Sequence, residues 1–399
     1  MIIFTIALIY RLVFAFVYSD GTVSGDSPRY WYAGSEIASG NWFPMDYMGR
    51  APFMVFPPVV PMLVALSISL FGPHYWPYFV MIIVISSFIP VLMYKLGSTF
   101  FSRAIGLIIM IISLIDVNYN RFNTQIMKEP LLLLLVPLTL YFLFRFVFKG
   151  SKKLHLVLSA IAFSVLIHTD ERFIIYTPFI LFIILIFGTK FKSNIQSSIL
   201  WFLILGLTMI PWLVRNYYQF NDFVILSSRT TPLTSKLWGK DLEKMPFSSE
   251  ENLNKRIHGL SEKAYEIGKI YGNQPRLHGR YEKYYRAFFH FWKPAYFKLD
   301  YIHYGFYPVK WSIGHNLNGV LFYGIFLPFY IMGFAWAVIK RNGMCITVGF
   351  IPIIHSLFHT LIVWPLERYR LPVNFCIILI ALWFINDIRA KWAAYDWRK

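Results

Sequence analysis

The residues of this chain that could do chemistry are charged, and they come in five short clusters beside apolar runs. These are Asp26 with Ser27, Arg29 and Tyr30; Lys128-Glu129 ahead of Pro130; His168 to Arg172 (HTDER); Arg215-Asn216; and Glu367-Arg368-Tyr369-Arg370. There is no Gly-rich phosphate loop opening a helix, no His-Glu zinc pair at helical spacing and no Gly-x-Ser-x-Gly elbow. Group transfer from a lipid phosphate suits the set, because the leaving group is already a stable anion. One carboxylate base for the acceptor and cations for the developing phosphate charge are then enough. A glycosidase-type carboxylate pair is not required, since the leaving group needs no proton. Asp26 is the candidate base, and Arg215, Arg368 and Arg370 are candidate clamps for the lipid phosphate, arginine being suited to bidentate contact with its oxygens. Tyr30, Lys128, Glu129, Asp170, Glu171, Arg172, Asn216 and Glu367 are expected to line the same cavity.

Each residue also has a plainer role. A helix-end Arg or Glu commonly snorkels to the interface or pairs inside a bundle. Glu129 beside Pro130 suits a helix start, so capping competes with acceptor or metal binding there. Asp170 and Glu171 could help hold a divalent cation, yet beside Arg172 they read as ion-pair partners, and no metal or other cofactor is expected. His355 and His359 stand four apart and read as bundle or cavity lining. Arg11, within an apolar run, reads as the partner of a buried carboxylate. Cys345 and Cys376 fall in or beside separate apolar segments and form neither a disulfide framework nor a thiol pair at zinc spacing.

These clusters need elements to position them, and composition says which. With 399 residues, 57% of them hydrophobic and only 15% charged, the chain is expected to be an all-helical polytopic membrane bundle, which excludes a soluble enzyme and a disordered tail protein. The apolar runs predict ten spans: 2–18, 75–96, 104–116, 125–148, 154–167, 173–188, 195–213, 318–339, 346–364 and 371–388. Ten spans put both termini on one side. The connections on that side carry Lys95, Arg103, Arg145, Lys149, Lys152, Lys153, Lys190, Lys192, Lys340, Arg341, Arg389, Lys391, Arg398 and Lys399 against Asp387 and Asp396. The short connections on the other side are nearly neutral. The positive-inside rule therefore predicts a cytoplasmic membrane protein with cytoplasmic termini and an extracytoplasmic cavity. The net charge of +18 follows that topology rather than marking a nucleic-acid surface. The apolar segment Pro57 to Phe71 is expected to lie at the outer interface. Its prolines delay a regular helix until about Pro61, and the remainder is too short to cross.

Three regions are expected: a membrane module over 1–215 with a first outer loop at 20–74, an extracytoplasmic segment over 216–315, and membrane helices over 316–399. Residues 221–279 read as a mobile flap or a linker. Tyr281 to Trp311 carries 14 aromatics, interleaved with Lys and Arg. Outside the membrane that composition suits an interfacial aromatic belt, or a cover over the sugar or isoprenoid chain, better than nucleic acid.

The order of these features resembles the bacterial, lipid-phosphate-sugar-dependent membrane glycosyltransferases of the GT-C fold, in particular the protein mannosyltransferase and aminoarabinose transferase group. The resemblance is carried by GDSPRYWYAGSEIASGNWFP after the first run, FPPVVPMLVALSISLFG behind it, KEPLLLLLVPLTLYFLFR, PWLVRNYYQF and ERYRLPVNF. It implies that Asp26 matches the acidic residue of the family's first outer loop, and that a sugar passes with inversion from a polyprenyl-phosphate donor to a glycan, lipid or protein acceptor. The chain departs from the pattern at Asp26-Ser27, where protein mannosyltransferases carry Asp-Glu, and at Phe56, where relatives often place Lys or His. No soluble domain is expected after the last apolar run. A lipid-linked polysaccharide polymerase or ligase remains the rival within the enzymes. A polyprenyl-lipid flippase or transporter is the rival from another class, though no internal repeat supports it.

Overall fold

The computed structural model describes residues 1–18, 26–42, 57–188, 191–220, 288–289, 291–294, 317–361 and 367–394. The segment 221–279 and most of the aromatic stretch lie outside the described residues, as does the side chain of Glu367. All regular structure among the described residues is helical, as the composition predicts. In chain order the helices are α1 (Ile2–Tyr18), α2 (Ser27–Ala38), α3 (Val59–Phe71), α4 (Tyr75–Ser86), α5 (Phe88–Phe100), α6 (Arg103–Ile115), α7 (Val117–Asn120), α8 (Glu129–Val147), α9 (Lys153–Thr169), α10 (Thr177–Phe187), α11 (Phe191–Phe220), α12 (Phe326–Ile339), α13 (Gly343–Leu361), α14 (Glu367–Arg370) and α15 (Asn374–Ala394).

The span count differs from the expected ten. Among the described residues six helices are long and apolar enough to cross a membrane, or seven if the bent pair 103–115 and 117–124 is one span. The count of ten is not confirmed, and two of the runs are interrupted by polar residues inside or at the edge of them. Asp116 ends α6 and accepts a hydrogen bond from the backbone N–H of Asn118 at 2.8 Å, which starts α7 after a 66° bend. Asp170 ends α9 and caps a 3₁₀ turn, so α10 begins only at Thr177 and has 11 residues. Lipid-facing flanks keep their apolar side chains exposed, among them Ile199, Phe202, Leu207 and Ile210 on α11.

The same bend corrects the expectation for Arg11. Its guanidinium is fully buried and donates to the carbonyls of Tyr119 (3.1 Å) and Ser113 (3.4 Å) and to the Ser86 hydroxyl (3.3 Å), rather than to a carboxylate. A helix end leaves its last carbonyls without intrahelical partners, and the break after Ile115 supplies them here.

Helix α3 starts at Val59, two residues earlier than expected, because a proline in the first turn gives up an N–H that needs no partner there. At about 1.5 Å per residue its length is about 20 Å, short of a hydrocarbon core of about 30 Å. It packs on α2 at Gly34, where an added Cβ would stand 2.9 Å from the Pro61 carbonyl. Small residues set a second close crossing: a Cβ on Gly106 of α6 would lie 2.8 Å from both the Tyr94 carbonyl and the Ser98 nitrogen of α5. Backbone on that side cannot yield as a side chain could. Gly106→Ala is therefore expected to destabilise the detergent-solubilised protein by about 1–3 kcal/mol. Gly206→Ala, which meets nothing within 4 Å, should be neutral or slightly stabilising. Thermal unfolding of the two variants checks the pair.

Candidate active site

The first cluster is held by the start of α2. The Asp26 carbonyl accepts the N–H groups of Arg29 and Tyr30, and Pro28 occupies the first turn, where its missing donor is harmless. The Asp26 carboxylate stays about one-third exposed (35%), 3.9 Å from the Arg29 guanidinium. Ser27 is fully buried; its hydroxyl donates to Gln125 Oε1 (3.4 Å) and accepts from the backbone N–H of Ile126 (3.2 Å). The position at which the chain departs from Asp-Glu thus tethers α2 to the turn before α8.

Next to it the starts and ends of four elements meet around Asp170. Lys128, at the N-cap of α8, places Nζ 2.9 Å from Asp170 Oδ2. Arg172 donates Nε–H to both Asp170 oxygens (2.8 and 3.1 Å) and adds a bond from Nη2. Asp170 is only 1% exposed. Burial alone would raise its carboxyl, but Arg172 and Lys128 outweigh burial and hold it well below the usual carboxylate range. Burial likewise opposes the charge on Arg172, and Asp170 more than restores it, raising the guanidinium above its ordinary value. Across the group, Arg368 Nε lies 3.8 Å from Glu129 Oε1, at the positive end of α8, where a carboxylate is favoured. Tyr369 lies against both arginines, with the Arg172 guanidinium 4.1 Å and that of Arg368 5.1 Å from its ring centre. The buried Tyr30 phenol is raised well above its ordinary value, by burial first and then by the charges of Asp26, Glu129, Asp170 and Glu171. Those four carboxylates therefore belong to one neighbourhood.

His355 and His359, read from the sequence as bundle or cavity lining, both border a pocket. His355 donates from Nε2 to the Tyr369 carbonyl at 2.7 Å and accepts a hydrogen bond from the Tyr176 hydroxyl at Nδ1. His359 packs beside it at a tilt, ring centres 4.2 Å apart, and Phe291 of the aromatic segment packs on both rings. A small polar pocket is bounded by Glu129, Asp170, Arg172, His359, Arg368 and Tyr369. The sequence names Tyr369 in its cluster but gives it no role, because a single tyrosine between arginines carries no signal of its own.

Other expected residues stand elsewhere. Arg370, a proposed phosphate clamp, is 1% exposed and bonds the carbonyls of Phe291 (2.6 Å) and Lys293 (2.8 Å) and the Asn374 side chain, with its guanidinium 3.5 Å from the Tyr323 ring centre. Arg215 donates to Asn216 and to the Trp42 carbonyl, joining the end of α11 to the segment after α2, outside the walls of the pocket. Asn216 is buried; Glu171, also buried, stays with the site in the turn that Asp170 caps. Among the described residues no three His, Cys, Asp or Glu side chains come together to hold a metal ion.

Removing Asp170 would leave two cations without their shared carboxylate. Asp170→Asn is expected to cost about 3 kcal/mol or more, and Asp170→Asn with Lys128→Met to recover part of it, both read by thermal unfolding. Since the folded carboxyl lies below its unfolded value, its contribution is full above the ordinary carboxylate pKa. It is lost only as the pH falls through the folded value, so acidifying from pH 7 to pH 5 should leave it intact.

Residues 55–214 match the family model described as dolichyl-phosphate-mannose-protein mannosyltransferase. No curated protein matches the chain by sequence. Two solved structures share its architecture: ArnT from Cupriavidus metallidurans bound to undecaprenyl phosphate, at 14% identity and a TM-score of 0.56, and the Archaeoglobus fulgidus oligosaccharyltransferase in the apo form, at 13% and 0.57. Each likeness covers 98% of this chain, which spans 61% and 51% of the lengths of those two proteins. The chain is therefore a multi-pass membrane protein with the GT-C fold, the placement that its resemblance to the protein mannosyltransferase and aminoarabinose transferase group implies.

Proposed function

We propose that this protein transfers a sugar from a polyprenyl-phosphate donor to a hydroxyl or other nucleophile of a glycan, lipid or protein acceptor. The observation that carries the reading is the layering of charge at the site. The carboxylates of Asp170 and Glu129 are almost fully buried (1% and 2%), while Lys128, Arg172 and Arg368 keep 14%, 14% and 18% of their side chains accessible. The cations thus lie in front, held by carboxylates behind them. The singly charged phosphodiester of the donor, which gains a second charge as its bond to the sugar breaks, meets ammonium and guanidinium groups that are already oriented, with little reorganisation left to do. The bound undecaprenyl phosphate named for ArnT is a ligand of this class.

The chemistry follows from that polarity. The acceptor oxygen attacks the anomeric carbon from the face opposite the phosphate, the bond from that carbon to the phosphate oxygen breaks, and its electron pair stays on the phosphate, inverting the centre. Asp26, accessible and only loosely paired with Arg29, takes the acceptor proton. Arg368 lies within electrostatic reach of Asp26, so base and phosphate clamp share one field. The clamp is Lys128, Arg172 and Arg368; Arg370 positions the aromatic segment, and Arg215 holds the segment after α2. The basic connections at the opposite ends of the helices favour a cytoplasmic location for those ends and hence an extracytoplasmic site.

Native mass spectrometry of the purified protein with a mixed pool of polyprenyl-phosphate sugars tests this. Wild type should retain a sugar-loaded lipid and discharge it when acceptor is added. Asp26→Asn should retain it with transfer reduced about a hundredfold or more, and Lys128→Ala should fail to retain it. No lipid retained by wild type would remove the donor assignment, and full activity in Asp26→Asn would remove the base.

A further inference from the structure

His359 is 2% exposed and forms part of the wall of the polar pocket with Glu129, Arg368 and Tyr369. Its Nδ1 lies 2.9 Å from the carbonyl oxygen of His355. A carbonyl oxygen only accepts, so Nδ1 carries the proton. The ring is packed among Phe291, Phe358, His355 and Tyr369 with no carboxylate bonded to it, and in the neutral ring Nε2 then carries a lone pair. No described residue donates to that lone pair. His355 differs, because both of its nitrogens are engaged. The pocket holds a second unmet acceptor, the buried Oε2 of Glu129.

Phosphate is the wrong complement for these two atoms, since its oxygens are acceptors as well. A hydroxyl fits: its proton goes to Nε2 and its oxygen faces the guanidinium of Arg368. The free volume of about 10 Å³ has room for about one water-sized group, the size of a single hydroxyl. We propose that His359 Nε2 accepts a hydrogen bond from one hydroxyl of the substrates of sugar transfer, beside the cations that hold the phosphate. This rests on the glycosyl-transfer reading above.

Two substitutions separate this role from a structural one. His359→Asn keeps an N–H where Nδ1 stands and removes the acceptor at Nε2. His359→Gln places an amide oxygen near Nε2 and gives up the bond to His355. A purely structural histidine would tolerate Asn and suffer from Gln. The expected result is the reverse: His359→Asn melts like wild type but loses about tenfold in transfer efficiency, and His359→Gln keeps most of its activity. Retention of sugar-loaded lipid without acceptor, weakened about tenfold in His359→Asn, assigns the hydroxyl to the donor sugar. A rise in acceptor KM alone assigns it to the acceptor. Bare polyprenyl phosphate, which has no hydroxyl to offer, should bind wild type and His359→Asn equally. Wild-type values for His359→Asn in both assays overturn the inference while leaving the donor assignment standing. Loss of a bound divalent cation together with activity in His359→Asn also overturns it. Failure of wild type to bind even bare polyprenyl phosphate removes the function reading itself.

Discussion

Asp170 takes hydrogen bonds from Lys128 and Arg172 with almost no access to water, and the arrangement of this end of the bundle follows from satisfying that one carboxylate. A buried charge with one partner missing is strongly destabilising, whereas one that is fully bonded fixes the geometry of everything attached to it. Lys128 is the N-cap of α8 and Asp170 the C-cap of α9, so the ion pair pins together the ends of two helices that pack along their lengths. Arg172 extends the constraint to Tyr369 in α14, and Tyr369 passes it to His355 in α13 through its own carbonyl. Four separate segments are thus registered against one another by polar contacts at a single end, while apolar packing alone holds much of the bundle between.

Within the bundle polar groups are satisfied differently. Arg11 finds carbonyls freed by the break at Asp116, and Asp116 takes hydrogen bonds from Asn118 and Asn318, while the Asn318 side-chain oxygen accepts one from the Val117 N–H. These contacts make the bend between α6 and α7 a built feature that anchors the start of the later helices to the earlier ones. In a low-dielectric surrounding a helix break is tolerated only where its exposed backbone groups are bonded again, and a long arginine can reach several of them at once.

The fold class and the clustering of charges were legible in the sequence because both are properties of runs. Apolar stretches announce helices, and charges beside them announce where the ends meet. What a run does not reveal is where its helix stops. The stop at Asp170 depends on its carboxylate capping Arg172, a contact between residues two apart that periodicity ignores. The same limit separates Arg368 from Arg370. Residues two apart on a helical turn face different ways, so one arginine lines the pocket and the other turns to the carbonyls of Phe291 and Lys293. Composition treats them as equivalent; the partner carbonyls come from a segment nearly eighty residues earlier.

The site as built is asymmetric, and the asymmetry matters more than any single residue. Lys128, Arg172 and Arg368 offer only donors. His359 Nε2 and Glu129 Oε2, in the pocket that Arg172 and Arg368 also line, are acceptors. A phosphate alone would use the first set and repel the second; a polyol alone would leave the cations poorly matched. A sugar phosphate carries both complements on adjacent atoms. Buried polar atoms left unmet are costly, so their presence beside a cationic patch is understood if the missing partner is the substrate. Asp26, about one-third exposed, is the most accessible carboxylate of the set, which is why the proposed transfer gives it the part of base.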